Sequence, residues 1–241
     1  MSDRFFVEAP IDGARASLIG HEAHHLAHVM RAKPGDSVTL FDGSGAQFEA
    51  RVESVGRSEV VLEVLAREAV TRELPLCVTL GVALPKGDRQ RWLVEKATEL
   101  GVARLVPLVS ERAGEHQSEA SLGRLRRAVV EACKQCGRNR LMEVAPQQTL
   151  PLFLGDQRPD ALRWFAQPDG AAIGELLREL PSELPSSVAI AIGPEGGFTA
   201  AEVAAAVNCG WQSVGLGKRI LRIETAALAV VAALVAHLEA G

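Results

Sequence analysis

Two glycine-marked stretches carry the residues best suited to chemistry. The first is Gly193-Pro194-Glu195-Gly196-Gly197-Phe198, and the second is Leu216-Gly217-Lys218-Arg219-Ile220-Leu221-Arg222. Glycine has no Cβ, so backbone N–H groups in such loops can come close to a ligand. The first stretch lacks the terminal Gly-Lys-Ser/Thr of a Walker loop, and its glycines do not give the G-x-G-x-x-G spacing of a dinucleotide site. Glu195 argues in the same direction, because a carboxylate beside phosphates is repulsive. It suits a ligand with positive charge or hydroxyls. A plain turn ahead of a capped helix would use the same residues without any ligand.

The elements around these loops must hold them at one edge of a sheet. The first loop follows the apolar run Val188 to Ile192 and precedes Thr199-Ala200-Ala201-Glu202, a capping-box pattern that predicts a helix start. The second follows Trp211-Gln212-Ser213-Val214. Open α/β sheets bind ligands beyond the carboxyl ends of their strands, so the two loops predict one pocket. From Leu76 onward, strand-like runs at Cys77 to Leu84, Leu105 to Val109, Ala161 to Ala166 and Val188 to Ile192 alternate with helical patterns. The predicted helices are Asp88 to Leu100, Ser121 to Gly137, Gly174 to Leu180, Thr199 to Asn208 and Glu224 to Ala240. The alternation predicts an α/β fold with a largely parallel sheet.

Residues before Arg72-Glu73-Leu74-Pro75 read differently. Val38 to Phe41, the turn Asp42-Gly43-Ser44-Gly45 and Gln47 to Val52 predict a hairpin, and Val60 to Leu65 another strand. With a short helix over His21 to Met30, this segment is a small barrel-like β domain in outline. The predicted division is therefore residues 1–72 and 73–241.

Composition excludes some classes. No apolar run approaches the roughly 18 residues of a membrane span. The N-terminus lacks a basic-then-apolar signal pattern, and four cysteines in 241 residues make no disulfide framework. A cytoplasmic protein with reduced thiols is expected. The net charge of −4 disfavours indiscriminate nucleic-acid binding, but Arg124 to Arg140 holds six basic residues and one acidic residue, Glu131. Along the predicted helix, Leu122, Leu125, Val129, Ala132 and Cys136 form an apolar stripe. Arg124, Arg127, Glu131, Lys134 and Arg138 repeat the spacing two positions later, about 200° away. That face is either a solvated surface or a phosphate-contacting one.

Two motifs are decoys. His21-Glu22-Ala23-His24-His25, with His28 a turn on, matches H-E-x-x-H, but it lies in a small β-rich segment beside a tight turn with no apolar cleft evident. Cys133-Lys134-Gln135-Cys136 matches C-x-x-C, yet it ends a helix rather than opening one and has no second ligand pair. No metal is expected at either.

The two C-terminal loops, continued through Ile223-Glu224-Thr225-Ala226, resemble the paired motifs of the RsmE family of 16S ribosomal RNA uridine-N3 methyltransferases, of the SPOUT class. The resemblance runs the length of the chain: Arg4-Phe5-Phe6-Val7, His25 to Arg31, Pro34-Gly35-Asp36, Phe41 to Gly45, Lys86-Gly87-Asp88-Arg89, Lys96 to Val102 and Glu131 to Arg140 fall in the family's order. Departures occur at Gln135-Cys136, at Ile223 and after Glu111-Arg112, none of them at a charged or glycine position of the two loops. The resemblance implies an N-terminal PUA-like β-barrel that binds RNA, a C-terminal SPOUT α/β domain with a trefoil knot, and a homodimer. It implies S-adenosylmethionine held by Ile192, Gly193, Pro194, Gly196, Gly197, Leu216, Gly217, Ile220 and Leu221, with a third wall near Gln167-Pro168-Asp169. The substrate would be a uridine of 16S rRNA in the small ribosomal subunit. Arg222 would stabilise the deprotonated uracil. Glu195 and Glu224 both stand as proton acceptors or structural ligands, Glu224 alternatively favouring the start of the last helix. Arg4, Arg31, Arg124, Arg127, Lys134 and Arg138 would contact rRNA phosphates.

Overall fold

The computed structural model describes residues 3–112, 117–181 and 183–239. The chain folds into two compact units, residues 1–73 with 130–141 and residues 74–129 with 142–241.

In the first unit, five strands form one sheet in the order β1-β3-β4-β5-β2: β1 (Arg4–Phe6), β2 (Arg15–Ile19), β3 (Ser37–Phe41), β4 (Gln47–Val55) and β5 (Glu59–Glu68). β1 runs parallel to β3, and the other pairs are antiparallel. Alternation along β4 buries Phe48, Ala50 and Val52 while Glu49, Arg51 and Glu53 face outward. Those buried residues join Phe5, Leu18, Leu26, Leu40, Val60 and Leu62 in one core. The expected hairpin turn is held by Asp42, whose carboxylate accepts from the N–H of Ile11 and of Ser44. Burial alone would raise that carboxyl, but the hydrogen bonds from Ser44 and Ile11 outweigh it and hold it below the ordinary aspartate value. The helix expected over His21 to Met30 is shorter than a uniform α-helix: α1 (Gly20–His24) passes into a π-helical turn, His25–Val29, and Arg31 follows with φ 57°. Strands β1 and β2 carry no strong sequence signal and enter the sheet through pairing with β3 and β5.

The second unit carries the predicted parallel sheet, in the order β12-β10-β11-β6-β7-β8. Its strands are β6 (Cys77–Val82), β7 (Arg104–Val109), β8 (Glu143–Val144), β10 (Leu162–Ala172), β11 (Ser187–Ile192) and β12 (Gln212–Gly215), with β9 (Gln148–Thr149) pairing β7. The helices are α2 (Arg89–Glu99), α3 (Glu119–Cys136), α4 (Leu150–Gly155), α5 (Ile173–Arg178), α6 (Ala200–Asn208) and α7 (Ile223–Glu239), and the last turns of α3 belong to the first unit. Every residue of β11 is buried, as expected of a strand covered on both faces. Phe153 of α4 and Trp211 pack with Phe165 and Phe198 in the core beside it. Ala240, the last residue of the expected C-terminal helix, lies outside the described residues, as does the segment just after Arg112.

β10 is longer than its apolar run. It continues to Ala172, and its pairing with β12 shifts register between Ala166 and Ala171. Beyond the shift, the two backbones nearly touch: a Cβ on Gly170 would lie 2.6 Å from the carbonyl carbon of Val214, and one on Gly215 would lie 2.5 Å from the Gly170 oxygen. Only paired glycines permit that crossing.

Candidate active site

The first glycine loop is launched by β11 and received by α6. Gly197 N–H donates to the Pro194 oxygen at 2.8 Å, closing a turn that Gly197 completes with φ 67°. The predicted capping box is present: Glu202 N–H donates to Thr199 Oγ1 at 3.2 Å, and Thr199 N–H donates to Glu202 Oε2 at 2.8 Å. The other oxygen of Glu202 accepts from Glu111 N–H at 2.9 Å, which docks the end of β7 against α6. From there Arg112 Nη1 donates to the Gly196 oxygen at 2.5 Å. Glu195 Oε1 lies 3.7 Å from Arg89 Nη2.

The second loop leaves β12 at Gly215, and Gly217 has φ 97°. Ile220 is 83% exposed, in a run from Gly217 to Ile220 that is exposed throughout, so the loop presents an apolar side chain outward. A third wall comes from Ala166, Gln167 and Pro168 within β10.

These three segments enclose a cleft of about 250 Å³. Its lining includes all of Ile192, Gly193, Pro194, Glu195, Gly196 and Gly197 from the first loop and Leu216, Gly217, Arg219, Ile220 and Leu221 from the second. Val214, Ile223 and Ala226 close its floor. The walls are mostly apolar side chains and glycine backbone, and the charged side chains are Glu195 and Arg219. Such a lining fits a ligand with a flat apolar body, polar edges and a cation better than a polyphosphate.

Some expected residues stand elsewhere. Asp169 and Arg222 are not among the lining residues, and Arg222 is exposed. Glu224 is 6% exposed, in the first turn of α7. Its Oε1 accepts from Arg89 Nη1 at 3.4 Å, and its Oε2 has no partner among the described residues. Sequence reasoning assigned no role to Arg89, Arg112 or Arg219. Arg219 had a signal, since it lies two residues beyond a glycine that must adopt positive φ. The two other arginines meet the loop across 106 and 84 residues of chain, and no local pattern announces them.

The basic face of α3 needs correction. Arg124 and Arg127 are exposed as expected, but the face does not stay open. Lys134 keeps 10% side-chain exposure, with Nζ 2.8 Å from Glu22 Oε1 and 5.6 Å above the Phe5 ring. Arg138 is 3% exposed and donates twice to the Glu73 carboxylate, at 3.1 and 2.6 Å. Helical periodicity locates the face of an isolated helix and is blind to carboxylates brought over it by α1 and the segment after β5. Arg4 is also engaged internally, donating to Asn139 Oδ1 at 2.7 Å and to Gln47 Oε1 at 3.2 Å over the Phe41 ring. Its burial, with the nearby charge of Arg72, holds it below the ordinary arginine value. Arg31 is exposed. At the H-E-x-x-H motif, His21, Glu22 and Glu131 offer ligand atoms within 4.8 Å of one another. The Lys134 ammonium already sits there, 3.4 Å from Glu131 as well as against Glu22. Cys133 is buried and Cys136 half-buried, and neither is part of a disulfide.

The family models that match this chain put it in the class of RNA methyltransferases that carry a PUA domain. The family model described as an RNA methyltransferase domain matches residues 72–235, and that described as an RNA methyltransferase PUA domain matches 18–65. The chain belongs to the ribosomal RNA small subunit methyltransferase E family. It is 35% identical to that enzyme of Synechocystis, covering 94% of this chain and 74% of the relative. It is 31% identical to that of Bacillus subtilis, covering 90% and 88%. Its fold superimposes on the Neisseria gonorrhoeae ribosomal RNA small subunit methyltransferase E bound to S-adenosylmethionine with a TM-score of 0.88, at 31% identity and 97% coverage of each chain.

Proposed function

We propose that the chain methylates N3 of a uridine in 16S rRNA of the small ribosomal subunit, using S-adenosylmethionine held in the two-loop cleft. The observation that carries this reading is the cleft itself: both glycine loops converge on one cavity lined mostly by apolar side chains and glycine backbone, with one carboxylate, Glu195, against one cation, Arg219. The Neisseria relative, solved with S-adenosylmethionine, supports the choice of cofactor.

Backbone groups of Ile192–Gly197 and Leu216–Leu221 hold the adenine and ribose, and Gln167 and Pro168 close the third side. Bound there, the cofactor supplies an electrophilic methyl carbon on a sulfonium. The chain's own tasks are to align the uracil ring with that carbon and to manage the N3 proton. Glu195 suits the acceptor role better than Glu224, because it lines the cleft and is 62% exposed while Glu224 is enclosed. A cation near the pyrimidine oxygens stabilises the uracil anion. Arg219 lines the cleft and Arg222 stands just beyond it, so the pair shares this assignment. The trefoil knot of the SPOUT domain belongs to the same proposal, supported by the match to the RNA methyltransferase family model. So do a homodimer and a cytoplasmic location; none of the described helices is long and apolar enough to cross a membrane.

RNA contact falls to Arg31, Arg124 and Arg127, whose side chains are exposed, rather than to Arg4, Lys134 and Arg138. Reversing Arg124 and Arg127 to Glu should weaken rRNA binding and reduce the slope of log affinity against log salt by about 2. An unchanged slope removes this helix from the interface. Calorimetry with S-adenosylmethionine, S-adenosylhomocysteine, NAD and ATP tests the cofactor. Heat with the first two alone is expected, and silence with both overturns the reading.

A further inference from the structure

We propose that Arg89 is a positioning residue of the methyl-donor cleft, tying its two walls together through two carboxylates. The inference rests on the reading that this cleft holds S-adenosylmethionine. Arg89 opens α2, just after Gly87 turns the chain with φ 67°. One guanidinium nitrogen, Nη1, donates to Glu224 Oε1 at 3.4 Å, and the other, Nη2, lies 3.7 Å from Glu195 Oε1. Glu195 belongs to the first glycine loop. Glu224 opens the helix that follows the second loop, adjacent to Ile223 in the cleft floor. One side chain thus reaches both halves of the cleft.

Local electrostatics argue against a cation at that point. The N-terminus of a helix carries partial positive charge, and the first turn of α2 has no acidic residue to offset Arg89. Asp88, at the N-cap, makes no side-chain capping bond. A local preference overridden by a tertiary contact is the mark of a constraint imposed by the site. The two partners also differ. Glu224 is buried, with one oxygen lacking a partner among the described residues, so removing Arg89 leaves a buried carboxylate without its ion-pair partner. Glu195 is exposed and needs no counter-ion for solvation, so its pairing with Arg89 restrains the loop rather than balancing a buried charge.

That difference separates positioning from mere charge balance. The test uses the full chain as wild type, Arg89→Met, Arg89→Lys and the double variant Arg89→Met/Glu224→Gln. Affinity for S-adenosylmethionine is read by calorimetry, KM and kcat by methyl transfer, and folding by thermal midpoint. Arg89→Met should bind about tenfold more weakly, with KM for S-adenosylmethionine rising more than kcat falls, and Arg89→Lys should recover most of the loss. In the double variant the midpoint should return toward wild type, since no buried charge is left unpaired, while the affinity stays low. Affinity that recovers together with the midpoint overturns the inference, because Arg89 then only neutralises Glu224. Arg89→Met binding as tightly as wild type overturns it as well, and leaves the proposed function standing. Wild-type protein that binds neither S-adenosylmethionine nor S-adenosylhomocysteine overturns the proposed function and this inference together.

Discussion

The two loops of the cleft share a composition rich in glycine but are held in different ways. Residues 193–198 are fastened at several points: the Gly197–Pro194 turn, Arg112 on the Gly196 oxygen, Arg89 on Glu195 and the Thr199–Glu202 capping box. Residues 216–221 receive no side-chain hydrogen bond or ion pair among the described residues, and Ile220 at their tip is 83% exposed. One wall is a fixed template; the other rests on glycine conformation and on the crossing behind it at Gly170 and Gly215. Under the proposed function, the fastened loop sets where the cofactor sits and the loop without side-chain ties is the one that admits and releases it.

Substitutions can break or sharpen that contrast. The largest effect is expected behind the free loop, at Gly170→Ala. Its Cβ would meet Val214 backbone, which cannot move aside as a side chain would. Urea unfolding should show a loss of at least about 3 kcal/mol, or no folded protein. Next is Gly217→Ala, whose Cβ enters open space but whose φ of 97° an L-residue resists. A cost of about 1–2 kcal/mol is expected, with cofactor affinity falling by about tenfold. Arg112→Ala loosens the fixed loop by one charged hydrogen bond, about 1 kcal/mol in stability and several-fold in cofactor affinity. Ile220→Ser comes last. Stability should stay within about 0.5 kcal/mol, while cofactor affinity drops a few-fold if the exposed isoleucine closes over the ligand. Equal effects of Arg112→Ala and Ile220→Ser on stability would erase the distinction between the loops.

The same contrast explains what could be read from the sequence. Glycines, the capping box and apolar runs are local backbone signals, so the parallel sheet, the loops and their meeting at one cleft were legible. Side-chain destinations are tertiary. Lys134 and Arg138 read as solvent-facing because their spacing matches Arg124 and Arg127, yet Glu22 and Glu73, distant in sequence, cover them. Arg89 and Arg112 were invisible as site residues for the same reason in reverse. Arg222 was favoured for its place after the loop, whereas the cleft is lined by Arg219, three residues earlier. The extension of β10 past Ala166 has no local signal because Gln167-Pro168-Asp169-Gly170 reads as a loop, and the strand is resumed only by the pairing of Ala171 and Ala172 with β12. The π-helical turn at His25–Val29 has no periodic signature that separates it from an α-helix in a short segment.

The central claim is methyl transfer from the two-loop cleft to one base. Small subunits from a strain lacking this modification should be incubated with the protein and S-adenosylmethionine tritiated in its methyl group, and the labelled nucleotide mapped. The account predicts stoichiometric label on N3 of a single uridine of 16S rRNA, reduced about tenfold by Gly217→Ala at limiting cofactor. Label on another atom or another base, or none from protein that binds the cofactor, would contradict it.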